Sequence, residues 1–489
     1  MPNRRTIAAQ TTQNRNIAIL LAALCVAVIY VIAVSGILLW ARWLLAILAL
    51  LVFGEQIRNR MGYTRVVYGL YLLGGTNGIG KIEALSRVAG WFWKGLADWG
   101  MVVGFGFLSL LLFRKNVSKR MFAFGILSIL FFMTVVLPNL ITSIGFINIP
   151  GLGGVQQQHA AVVSLPVTPL QYALYAMSII GGFFFYLLAS IVYGAASILL
   201  GIGQFLATAA NSNPNYSILT NQIPGAAPII PGITIPIFSG IIALAIILVV
   251  HEFSHGVLAR IAGIKVKNVG LLLFGIIPVG AYVEPDEKAI LKLGKREQNR
   301  IFVAGIASNM LFSVIFLALM LAVMLYALPH YVKTEVVITA TVPGSAAYNV
   351  IAPGSVVMQW NGQHIGNLSA LESVATNDMP NSDVSLVTDK GSFILHTNST
   401  GKIGVLLNQV TRISNDTPIS SLVYFLYSLF ALTFLLNFFV GIFNLLPLPG
   451  LDGWRIFNVS VGNRRIVTLL MVLSVACIAI NFLPWVWRI

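Results

Sequence analysis

Charge is scarce in this chain. Asp, Glu, Lys and Arg make up 9% of its 489 residues, against about 25% in a typical soluble protein. From Met121 to Val250 there is none. An ordinary water-soluble globule is excluded. Cysteine is scarcer: Cys25 and Cys477 both lie inside apolar runs, which excludes a disulfide framework and a cysteine metal site. Acidic residues number 15 against 30 basic ones, a net charge of +15. In a soluble protein that excess would point to nucleic acid. Here the bases sit in short loops between apolar runs, the pattern that orients membrane proteins, and no nucleic-acid partner is expected.

Apolar sequence is abundant instead: 57% of residues are hydrophobic and the mean hydropathy is +0.87. Runs near the ~20 residues that cross a bilayer fall at roughly 17–35, 37–53, 96–113, 120–138, 170–189, 191–209, 235–257, 302–328, 421–446 and 466–487. The first, Ile17 to about Val34, is too long for the apolar core of a secretory signal and another run follows it, so a retained anchor is expected. The stretch VVYGLYLLGGTNGIG (66–80) is apolar but short and glycine-broken; it is expected at the membrane interface. These runs predict a polytopic α-helical membrane protein of about 8–10 spans.

The loops 139–168 and 210–234 carry no positive charge and are expected outside. Between Arg260 and Arg300 lie Lys265, Lys267, Lys288, Lys292, Lys295 and Arg296, which predicts a cytoplasmic loop. Residues 331–416 break the apolar pattern. Acids appear there, VSLVTDKGSFILHT (384–397) predicts two strands around a turn, and Asn361-Gly362 predicts a tight turn. A water-soluble β-rich insert is expected, on the outer side.

One apolar run ends in HEFSH, residues 251–255. On a helix, His251 and His255 are one turn apart on one face and can bind one metal ion. Glu252 lies beside them, able to take a proton from an attacking water. This is the HExxH arrangement of zinc hydrolases. The plain alternative is two helix-end histidines satisfied by backbone or water. Against it, ionisable residues in membrane segments are costly and mark function. Zinc needs a third protein ligand and an open position. His159, His330, His364 and His396 fall in expected outer segments. Asp452 is the one acid after Asp416 and sits in NLLPLPGLDG (444–453), where Pro447, Pro449 and Gly450 break the helix at the expected depth of HEFSH.

With these residues the chain resembles the site-2 protease family of intramembrane zinc metalloproteases. That family pairs HExxH in one span with N-x-x-P-x-P-x-L-D-G in a later one, and both are complete here. The resemblance covers about residues 235–489. It implies one zinc ion per chain held by His251, His255 and Asp452, with Glu252 as catalytic base. VGLLLFGIIPVGAYVEPDE (269–287) resembles the family's re-entrant β segment, which implies substrate contacts at Gly280, Tyr282 and Val283. GIASN (305–309) resembles its G-x-x-x-N; Asn309 would donate to a developing oxyanion or serve interhelical packing. Asn444 would bind substrate backbone or brace the broken helix. VPGSAAYNVIAPGSVVMQWNGQHI (342–365) resembles a protease-associated PDZ domain, although Gly354-Ser355 departs from the usual Gly-Asp.

The expected organisation is an accessory transmembrane region (1–230), a protease core in two parts (235–330 and 421–489), and the PDZ-like insert (331–416). The expected activity is zinc-dependent hydrolysis of transmembrane segments of membrane proteins. The site would lie toward the cytoplasmic side of a cell membrane and the insert outside. The alternatives are a silent scaffold that binds membrane helices around a structural metal, and a transporter. The charge-free stretch Met121–Val250 offers a transporter no ion or proton relay.

Overall fold

Long apolar runs fold as helices because a backbone away from water must satisfy its own hydrogen bonds. The computed structural model of the chain describes residues 4–75, 78–113, 117–138, 169–211, 214–232, 234–413 and 417–487. The loop 139–168 with His159, and Asp416, lie outside them. In chain order the elements are α1 (Arg4–Val34), α2 (Leu39–Met61), β1 (Thr64–Val67), β2 (Leu70–Gly75), α3 (Ile79–Val88), α4 (Gly90–Phe105), α5 (Leu108–Leu112), α6 (Lys119–Phe131), α7 (Pro169–Ala210), α8 (Ser217–Thr220), α9 (Ile237–Ile261), β3 (Val266–Phe274), β4 (Ile277–Pro285), α10 (Glu287–Ile290) and α11 (Lys295–Ala322). Then come β5 (Val332–Thr341), β6 (Ser355–Trp360), β7 (Gln363–His364), α12 (Leu368–Ala375), β8 (Asp383–Thr388), β9 (Gly391–His396), β10 (Val405–Ile413), α13 (Pro418–Phe443), α14 (Asp452–Ser460) and α15 (Arg464–Phe482).

Among the described residues, 7 helices are long and apolar enough to cross a membrane. The difference from ten apolar runs has local causes. The run 37–53 becomes α2, whose last turns carry Glu55, Arg58 and Arg60. The run 96–113 is split into α4 and α5 at Gly106 (φ 53°). The runs 170–189 and 191–209 form one helix, α7, broken instead at Gly182 (φ 64°, ψ −161°). Only glycine adopts that conformation without strain, whereas Ala189, Ser190 and Ile191 all suit a helix. The two breaks touch: the N–H of Phe107, the residue before α5, donates to the Ile179 carbonyl of α7 at 3.1 Å. A freed backbone donor is thereby satisfied inside the protein.

The stretch expected at the interface, 66–80, is part of a sheet. β1, β2, β3 and β4 form one antiparallel sheet in that order, with Leu70 opposite Phe274 and Gly75 opposite Val269. The hairpin β3–β4 turns at Gly275. The N-terminal region therefore extends the hairpin on its β3 side, and among the described residues β4 is left as an edge strand. Beside the sheet, Arg58 of α2 and the Tyr71 hydroxyl of β2 both donate to Glu55 and hold its carboxyl below the usual carboxylate range.

The N-terminal helices belong to the same compact unit as the HEFSH helix, Met1–Leu317 with Leu429–Ile489. Asp98 of α4 is buried and takes two bonds from Arg300 of α11, Nε to Oδ1 at 2.7 Å and Nη2 to Oδ2 at 2.6 Å. Arg296 adds a third at 3.2 Å. Breaking a buried pair leaves a charge without a partner, at a cost of about 3–5 kcal/mol. Arg300→Leu is therefore expected to lower the melting temperature in detergent markedly, and Asp98→Leu/Arg300→Leu to recover much of the loss. An unchanged melt for Arg300→Leu would mean that the pair does not tie α4 to α11.

The second compact unit, Ala318–Ser428, is built on a sheet of order β10-β5-β6-β8-β9, with β7 paired to β6. Its core includes Val336, Ile338, Val357, Trp360, Leu371 and Leu386. The strand pair around Asp389-Lys390-Gly391 forms as β8 and β9. The Asn361-Gly362 turn joins β6 to β7 with both residues at positive φ, 49° and 77°, the backbone of a type I′ turn.

Candidate metal centre

Helical spacing puts the imidazoles of His251 and His255 on one face of α9, with Nε2 atoms 3.3 Å apart. The third group arrives from far along the chain. After α13 ends at Phe443, Pro447 and Pro449 cannot continue a helix. The chain folds back until the Gly453 N–H donates to the Asn444 carbonyl at 2.7 Å. Asp452 then opens α14. Its Oδ2 lies 3.1 Å from His251 Nε2 and 3.3 Å from His255 Nε2. Phe457, further along α14, is wedged between Phe105 of α4 and Phe184 of α7, ring centroids 5.7 and 4.9 Å away. The N-terminal helices thus help to seat the helix that carries Asp452.

The residues fit a zinc ion. A tetrahedral ion with bonds of ~2.0–2.1 Å has donor atoms about 3.3–3.4 Å apart, close to the three edges of this triangle. Asp452 Oδ2 is buried and receives no hydrogen bond, so it has lone pairs to give. Two imidazoles and a carboxylate form a set suited to zinc, with a fourth position left open. No other group of three or more His, Cys, Asp or Glu side chains comes together in this way among the described residues.

The surroundings orient the rings. His255 Nδ1 meets the Ile301 carbonyl at 2.6 Å. A carbonyl only accepts, so Nδ1 carries the proton and Nε2 keeps its lone pair. His251 rests on Gly305 of α11, where a Cβ would come within 2.4 Å of the ring. Its Nδ1 faces the Asn309 amide at 3.2 Å, and Asn309 is fully buried.

Glu252 links the cluster to the sheet. It is half-buried, and its Oε2 accepts from the Val283 N–H of β4 at 3.4 Å. That N–H points away from β3. In an antiparallel ladder alternate residues share an orientation, so Ala281 and Val283 turn their backbone groups to the open edge of β4. No strand pairs with that edge among the described residues. The Val283 side chain packs toward Gly256 of α9. Gly280 lies opposite Leu272 of β3. Tyr282 runs over Gly270 and Gly74, with its hydroxyl accepting from Asn268 Nδ2 at 3.3 Å. The Asn444 side chain donates to the Val440 carbonyl at 2.9 Å, a brace within its own helix end.

Of the residues singled out in the sequence, His251, Glu252, His255, Asn309 and Asp452 come together. Gly280, Tyr282 and Val283 follow along β4. His330, His364 and His396 fall in the other compact unit. Ile301 is missed by sequence reasoning because its part is played by a main-chain carbonyl, which any residue supplies. Gly305 is visible only as a small residue of GIASN.

A family model for peptidase family M50 matches residues 239–482. An uncharacterized protein of Methanocaldococcus jannaschii is 31% identical over 232 residues, which is 46% of this chain and 58% of that protein. A membrane-bound transcription factor site-2 protease homolog of Arabidopsis thaliana is 30% identical over 202 residues, 40% of this chain and 38% of that protein. The alignments thus span less than two thirds of these curated relatives. The match to the family runs from α9 to α15 and includes all three members of the His–His–Asp cluster. On that ground the chain belongs to peptidase family M50, the zinc-dependent metalloproteases that include the site-2 proteases.

Proposed function

We propose that this chain is an intramembrane zinc endopeptidase that hydrolyses peptide bonds within or near transmembrane segments of membrane proteins. The observation that carries the reading is the meeting of Asp452 Oδ2 with both histidine Nε2 atoms, beside a carboxylate that touches an open strand edge. A transmembrane helix hides its carbonyls in its own hydrogen bonds. Once locally unwound, such a substrate would add as a strand to β4 through the outward groups of Ala281 and Val283. Zinc held by His251, His255 and Asp452 would supply Lewis acidity and a more acidic water. Glu252 takes the proton of the attacking water and returns it to the leaving amine. Strand addition at Val283 would also claim the N–H that Glu252 now accepts, releasing the carboxylate as substrate arrives.

The bases between Arg260 and Arg300 favour a site toward the cytoplasmic side. The sheet and α12 of Ala318–Ser428 are compatible with the PDZ-like reading of the insert, which would then bind extended peptide on the outer side. Terminal peptides from membranes of cells producing the wild-type chain should include new ends inside apolar segments, absent from cells producing Glu252→Gln. The same ends in both samples would remove the protease reading.

A further inference from the structure

We infer that Asn309 is a positioning residue: its side-chain oxygen accepts from His251 Nδ1–H and so fixes the tautomer whose Nε2 lone pair faces the cation. The inference rests on the zinc-site reading above and assigns Asn309 a part distinct from steadying an oxyanion. The amide lies against Nδ1 at 3.2 Å, whereas Nε2 and Asp452 Oδ2 meet on the other side of the ring.

Three observations carry it. A neutral imidazole has one N–H. If Nε2 is to bind a cation, Nδ1 holds the proton, and the group facing it must accept. With Nδ2 turned to the ring, the amide presents a donor there and Asn309 Oδ1 is left buried without a partner. The two ends of an amide have nearly the same shape, so hydrogen bonding decides which faces the ring. Second, the companion ligand already has this arrangement: His255 Nδ1 faces the Ile301 carbonyl at 2.6 Å, a group that can only accept. Third, Asn437 and Asn481 are buried on other helices, and each donates Nδ2 to the carbonyl four residues back, Thr433 and Cys477. With Oδ1 on the imidazole, Asn309 Nδ2 is no longer spent on the ring and is free to donate, as the other two do.

The test is zinc affinity, read by competition with a chromogenic chelator on the full-length protein in detergent, beside a thermal melt. Asn309→Leu keeps the bulk and removes the acceptor; a loss of about 10–100-fold is expected, the usual cost of removing such an outer partner. Asn309→Asp keeps an acceptor and should bind within a few-fold of wild type or tighter. A folded Asn309→Leu with wild-type affinity overturns the inference, as does an Asn309→Asp that binds as weakly as the leucine variant. If Asn309→Leu does not fold, Asn309→Asp decides alone, and a tenfold loss counts against. A wild-type chain that binds no zinc sinks the metalloprotease reading itself, an outcome distinguishable from the other two.

Discussion

Glu252→Gln is expected to keep about one zinc per chain while peptide cleavage falls by about 10²–10⁴-fold, the usual contribution of a general base. Glutamine preserves the shape of the side chain and its oxygen can still accept from the Val283 N–H. It cannot take up a proton. The three donors lie on His251, His255 and Asp452, so metal content should stay constant. Elemental analysis and a cleavage assay on the same preparation make the comparison. Undiminished cutting by Glu252→Gln would remove Glu252 from the mechanism. Loss of metal together with cutting would make it a ligand instead.

Asp452→Ala is expected to have the largest effect on metal. It removes the only anionic donor of the cluster and the only one from outside α9. Zinc affinity should fall by more than the ~10–100-fold typical of losing an outer-shell partner, with cleavage falling alongside. Full metal retention in a folded Asp452→Ala would preserve a hydrolase but require another third ligand. The measurement is zinc per chain after dialysis against a weak chelator.

The candidate ligands were legible in the sequence because each sits in a strong local pattern. A separation of four on a helix brings His251 and His255 onto one face whatever surrounds them. Asp452 stands beside prolines that must end a helix. The hairpin β3–β4 was expected from the resemblance of 269–287 to a re-entrant β segment; its glycines and Pro278 by themselves speak only against an ordinary helix. What could not be read depends on partners distant in sequence or on the main chain. LYLLGG (70–75) has no strict alternation, and its partner strand lies far along the chain. The break in α7 is one glycine among several, and only the touching break at Gly106 shows why it falls at Gly182. Asp98 could be seen as a lone acid in an apolar run, but not its bidentate arginine.

The donors of the candidate metal centre also bear on folding. His251 and His255 precede the compact unit Ala318–Ser428, and Asp452 follows it. An ion held by all three therefore staples together two stretches that the insert separates. Such a cross-link shifts the folding equilibrium by mass action, by about 2.7 kcal/mol when free ion stands at 100 times its dissociation constant. The two stretches on either side of the insert would then be rejoined by the ion as well as by packing, and loss of zinc would cost the chain a tie across its fold along with the proposed chemistry.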